Sequence, residues 1–162
     1  MSNILPRAAA LAAAALLATT GALAGATQSS ALPMAPTCRV ADLELAVGEP
    51  ESVGRAIDYP ILFTNTTGHN CALRGYPGVS VTNAGHRQIG TSAIRTGEPI
   101  STVLVAPDET VTAVMRTNRG SSNCRPKSTY VKVYPPNSGV AEEIRYELRV
   151  CGMFEISPVQ AW

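Results

Sequence analysis

The sequence predicts an all-β domain, an antiparallel sandwich, and three observations predict it. Apolar and polar residues alternate with a period of two along most patterned stretches. Clusters of glycine, proline and asparagine separate those stretches at roughly ten-residue spacing. Four cysteines, and no others, follow a stretch with the form of an export signal. An even cysteine set in a short exported chain reads as two disulfides holding a small domain. A barrel is the architectural alternative.

Taken in order, residues 1–24 have the three-part form of a secretory signal. Arg7 is the only charge before Arg39, Ala8–Leu17 is a run of Ala and Leu, and Ala22-Leu23-Ala24 offers a cleavage site before Gly25. A membrane anchor needs roughly 20 apolar residues, and Thr19, Thr20 and Gly21 interrupt the run too early. Cys38 lies too far past the apolar run to be a lipid-modified cysteine, and a twin-arginine signal is absent. Residues 25–37 are uncharged and rich in small residues and proline, which predicts a flexible leader. Residues 38–162 are expected to form one β-sandwich domain, secreted or extracytoplasmic after cleavage near Ala24.

About 125 residues from Cys38 onward are enough to bury roughly two-thirds of the unfolded surface. Without Arg7 the basic and acidic residues balance, so general nucleic-acid binding is not expected. The charges are unevenly placed. Tyr59–Gly97 holds no acid but contains Arg74, Arg87 and Arg95, and Thr110–Ala141 holds none but contains five cations, Lys132 among them. A neutral molecule with segregated charge can still steer an anionic partner, unless folding intermixes the segments.

Strands are predicted where alternation is clear: Leu43 to Val47, Val79 to Val81, Val111 to Met115, Val131 to Val133, and Ile144 to Val150. Ile61-Leu62-Phe63 and Val103-Leu104-Val105 are continuous apolar runs, expected to be covered on both faces or to shift register. Turns are expected at Thr67–Asn70, Tyr76–Gly78, Asn83–Gly85, Pro107–Glu109 and Asn137–Gly139. Cys38 starts the first strand and Cys71 follows the second, so antiparallel pairing would bring them together. That predicts Cys38–Cys71 and Cys124–Cys151, each closing a loop of about thirty residues and adding roughly 3–4 kcal/mol in the chain-entropy model.

The run Phe63-Thr64-Asn65-Thr66-Thr67-Gly68, then Cys71 and Leu73-Arg74-Gly75-Tyr76-Pro77-Gly78-Val79-Ser80, resembles an uncharacterised actinobacterial family of secreted proteins and lipoproteins. Its members are known only as a domain of unknown function. Val133-Tyr134-Pro135-Pro136-Asn137, Cys38, Cys124 and Cys151 fit the same pattern, which covers Cys38 to Val159. The resemblance implies an extracytoplasmic immunoglobulin-like β domain with two disulfides. It implies no enzyme activity, so no catalytic residue carries over. Where members often have Pro-Gly, this chain has Pro107-Asp108. It also lacks the lipobox of many members, so membrane attachment does not carry over.

Of the motif residues, Gly75, Tyr76, Pro77 and Gly78 are expected to shape a structural corner, with the Tyr76 hydroxyl on backbone. Asn65-Thr66-Thr67 matches a glycosylation sequon, but Asn65 is read as a turn-capping side chain. His69 and His86 are the only histidines, too few to converge on a metal. Neither a metal nor another cofactor is expected. Glu142 and Glu143 are neighbours on a strand and face opposite sides, so they cannot cooperate in catalysis. No nucleophile motif is present. The best binding candidate is the loop carrying Arg116, Arg119, Arg125 and Lys127, with Cys124 as anchor. Arginines there suit bidentate contacts to carboxylate or phosphate. Trp162 is the only tryptophan and is expected to pack on an edge strand or lie free. The expected role is non-enzymatic binding or structure at or near the cell envelope, with an envelope polymer or a protein as partner. An enzyme inhibitor presenting a disulfide-held loop is the alternative, and a hydrolase is a more distant one.

Overall fold

Alternating apolar residues form β-strands here because a two-sheet core covers one face of each strand and leaves the other to solvent. In this computed structural model the described residues are 35–120 and 122–162. The predicted signal and the leader up to residue 34 lie outside them. The strands run in chain order as β1 Leu43–Val47, β2 Glu51–Val53, β3 Ala56–Asn65, β4 Cys71–Arg74, β5 Gly78–Thr82 and β6 Ile94–Arg95. They continue as β7 Thr102–Val105, β8 Thr110–Asn118, β9 Tyr130–Tyr134, β10 Glu142–Arg145, β11 Phe154–Ile156 and β12 Gln160–Ala161. One 3-10 turn, Val40–Asp42, precedes β1.

The larger sheet has the order β1-β3-β8-β11-β6, with β2 on β3 and β12 on β8. The second sheet is β10-β9-β5, and β4-β7 form a separate ribbon. Taking the principal strands in order, β1, β3 and β8 share one sheet, and β5, β9 and β10 share the other. That is the A-B-E and C-F-G division of an immunoglobulin-like sandwich. The protein is therefore an all-β sandwich, as the sequence predicts. Ile61, Phe63, Val111, Ala113 and Met115 from the first sheet meet Val79, Val81, Val131 and Val133 from the second in one buried cluster.

Local sequence accounts for the details. Pro60 is tolerated within β3 because it falls between the residues paired with β1 and those paired with β2. Its carbonyl accepts from Gly48 N–H (2.8 Å), and the N–H it lacks would point the same way, into that gap. Both disulfides form with the predicted pairing, Cys38–Cys71 and Cys124–Cys151. The first rests on local pairing, because Cys38 N–H donates to Ala72 O and Ala72 N–H to Pro36 O. Cys71 opens β4 rather than following the second strand of a hairpin. Unlike the B–F bridge of antibody domains, neither bridge crosses the core, and Trp162 lies 76% exposed at the end of the chain.

Two strand expectations are corrected. Val103-Leu104-Val105 is not covered on both faces: β7 pairs only with β4, and Leu104 is exposed. Ile144–Val150 is not one ladder. β10 stops at Arg145, and the chain continues along residues 125–129 through Tyr146 N–H to Thr129 O, Ser128 N–H to Leu148 O and Arg125 N–H to Val150 O. The alternation still marks the inward side, since Leu148 and Val150 are buried.

Candidate functional site

The Gly75–Gly78 corner is built from backbone needs. Gly75 has a φ of 102°, a conformation that side chains disfavour, and its carbonyl accepts from Val159 N–H at 2.9 Å. The corner turns Tyr76 so that its hydroxyl donates to the Glu98 carbonyl at 2.6 Å, while the ring packs against the core. Beyond it, Gly78 pairs with Tyr134 across β5 and β9.

Beside this corner lies a cleft of about 410 Å³, lined by Ser80, Gln88, Ser92, Arg95, Lys132 and Tyr134 among others. Register explains its wall. Ser80 and Lys132 are cross-strand partners and Glu143 is opposite Lys132, so all three share the outer face of the β10-β9-β5 sheet. After β5 the chain folds back along that strand's free edge, with Ile89 N–H donating to Val81 O and Ala93 N–H to Val79 O. This excursion supplies Gln88 and Ser92 to the opposite wall. Arg125 braces it from behind, donating to Thr91 O (2.6 Å) and to Thr91 Oγ1 (2.8 Å). The excursion turns at Gly90, where φ is 70° and a Cβ would lie 2.7 Å from Arg125 Nε.

The two cations of the cleft are held by aromatic rings rather than by acids. The Arg95 guanidinium lies 5.5 Å from the Tyr76 ring centroid, and the Lys132 ammonium lies 5.8 Å from that of Tyr134. Neither forms an ion pair with a described residue. Glu143, the acid in register with Lys132, instead turns to His86 Nδ1 and lies 3.4 Å from Thr82 Oγ1. His86 is in turn stacked on Tyr130, with centroids 5.0 Å apart. Glu98 and Glu155 act on Arg116, and no carboxylate lines the cleft.

The four cations of the predicted loop are placed differently. Arg116 lies within β8 and forms a two-pronged contact with its cross-strand partner Asp58, both bonds 2.6 Å, which raises the guanidinium's pKa. Arg125 braces the excursion as described, and Lys127 pairs with Glu147. Arg119 is exposed beside Gly120. The structure thus gives three of the four a partner within the chain.

The remaining acids and histidines are dispersed. Glu142 and Glu143 point to opposite faces of β10; burial, then the nearby Glu44, raises the Glu142 carboxyl above its usual range. The Arg39 guanidinium and Arg39 N–H hold Asp42 below its usual range. Burial raises the Tyr59 and Tyr146 hydroxyls, whose rings meet edge-on with centroids 6.1 Å apart. Asn65 caps the turn after β3, accepting from Thr67 N–H and donating to His69 O. Among the described residues no group of three or more His, Cys, Asp or Glu is placed to hold a metal. No helix among them is long and apolar enough to cross a membrane. Composition flagged the acid-free stretches but not the cleft, because Arg95 and Lys132 meet only through the fold.

A disulfide-stapled immunoglobulin-like sandwich with a cationic cleft on one sheet defines the class: a small all-β domain. The chain matches the family described as Domain of unknown function (DUF4232) over residues 38–160, and it belongs to that family. No curated protein and no solved structure matches it.

Proposed function

We propose that this is a secreted, non-enzymatic binding domain that acts at or near the cell envelope and recognises anionic groups through the Arg95–Lys132 cleft. One observation carries the reading: two cations share one concavity, each held on a tyrosine ring, and neither forms an ion pair with a described residue. A cation already oriented by the protein loses little freedom when it meets an anion, so the site is prepared for a carboxylate or phosphate. The other polar groups that line it are the Ser80 and Ser92 hydroxyls, the Gln88 amide and the Tyr134 phenol, which hold a ligand rather than accept its protons. Two disulfides support an oxidising compartment, as does the predicted export signal.

The test is retention of the mature domain on isolated cell envelope at low and high salt, compared with an Arg95→Gln/Lys132→Gln variant. Salt-sensitive retention is expected for the wild type and about tenfold weaker retention for the variant, a loss that two exposed charge contacts can account for. Equal retention of both proteins overturns the reading.

A further inference from the structure

Arg95 also lines a second hollow, of about 240 Å³. That hollow is walled by Arg74, Tyr76, Ile100 and Asn137. Arg74 is exposed and forms no ion pair with a described residue. Asn137 reaches across to Arg74 O at 3.4 Å, tying the β9–β10 turn to the corner. Two small concavities therefore share Arg95, with Lys132 lining one and Arg74 the other.

We infer that these are adjacent subsites for a linear acidic polysaccharide, with one charged sugar unit in each hollow. This deepens the reading of the cleft given above and rests on it. Each hollow combines what a charged sugar ring needs. Tyr134 in one hollow and the half-exposed Ile100 in the other offer apolar surface to the ring's C–H face. Gln88, Ser92 and Asn137 offer amide and hydroxyl groups to its hydroxyls. Arginine supplies a fork for a carboxylate or phosphate. An acidic peptide fits less well, because peptide recognition beside a strand uses a free sheet edge. The β5 edge at the cleft is already closed by Ile89 and Ala93. Nucleic acid needs a larger basic field than a chain of formal net charge +1 provides.

The experiment is a calorimetric titration with galacturonate monomer, dimer and tetramer, and with uncharged maltotetraose. The proteins are the wild type, Arg74→Gln, Arg95→Gln and Lys132→Gln. All three side chains are solvent-accessible and outside the buried core, so the variants should fold; thermal melts check this. The tetramer is expected to bind at least about tenfold tighter than the monomer, because the second contact is intramolecular. Arg95→Gln and Lys132→Gln should weaken both probes. Arg74→Gln should weaken the tetramer by about tenfold and the monomer by less, because a single unit can still occupy the Lys132 hollow. Binding of maltotetraose as tight as that of the charged tetramer, or a tetramer indifferent to Arg74→Gln, overturns the inference. If no galacturonate binds but envelope retention still depends on Arg95 and Lys132, the polysaccharide assignment fails and the anion cleft stands. If retention is also indifferent to those two residues, both fall.

Discussion

Asn65 is fully buried, yet its side chain is completely used. Nδ2 donates to His69 O (2.8 Å) and Val105 O (3.0 Å), and Oδ1 accepts from Thr67 N–H (2.9 Å) and Thr67 Oγ1–H (2.8 Å). The sequon-like Asn-Thr-Thr run thus has a local explanation: Thr67 is where it is because its hydroxyl completes the cap. Burial also removes the amide from any modifying enzyme. Removing one partner of a buried hydrogen bond leaves the other unsatisfied, at about 1–3 kcal/mol per group. Asn65→Ala should therefore cost about 3 kcal/mol or more. Asn65→Asp is nearly the same size, but sets a carboxylate oxygen against two carbonyls where the amide donated. It should destabilise at least as much as alanine does. Urea unfolding of the two variants checks this, and an Asn65→Asp protein as stable as the wild type would refute the account.

At the scale of elements, β10 shows how one strand separates two charge environments. Glu143 on its outer face is engaged by His86. Glu142 on the inner face is partly buried, and Glu44 of β1 acts on it. Burial first, and then that like charge, disfavour the ionised form of Glu142, so its folded pKa lies above its unfolded one. The sign follows from linkage. A raised carboxyl contributes stability below the unfolded pKa of about 4.3, and loses it as pH rises through the folded value. At neutral pH the ionised Glu142 therefore opposes folding. Glu142→Gln is expected to be more stable than the wild type at pH 7, with the difference vanishing as pH falls below the usual carboxylate range. Thermal melts across that range test it; a constant difference at every pH would show that the charge is not the cause. The same strand marks the limits of sequence reading. Long alternating runs such as Val111–Met115 and Leu43–Val47 were legible because one core covers one face of each. The two- and three-residue strands β2, β6, β11 and β12 were not, because nothing local distinguishes so short a run from loop. Their pairing comes from β3, β8 and β11. Partners distant in sequence hid the site as well. Arg116 is taken up by Asp58, 58 residues upstream, so the densest run of basic residues is not the one that lines the Arg95–Lys132 cleft.

Across the whole molecule, the C-terminal segment joins the larger sheet to the corner that carries the cleft. Ser157 N–H donates to Val114 O (2.9 Å) and Ser157 Oγ accepts from Val114 N–H (2.8 Å). Val159 is buried and its N–H bonds to Gly75 O, and Gln160 and Ala161 pair with Thr112 and Val111 of β8. One short segment therefore contributes to core packing through its side chain and to the placement of Tyr76 through its backbone. The two contributions can be separated. Val159→Ala removes buried methyl groups and should cost about 2 kcal/mol, but it keeps the N–H bond to Gly75. Anion binding at the cleft should then stay within about twofold of wild type at temperatures where the variant is folded, because contacts to the ligand are untouched. Deleting residues 158–162 removes that bond as well. It frees the Gly75 carbonyl, loosens the Tyr76 ring on which Arg95 rests, and should lower cleft affinity by about tenfold beyond its effect on stability. Denaturation and calorimetry on both proteins make the comparison. Full affinity in a folded deletion variant would mean that the corner holds Tyr76 without help from the C-terminus.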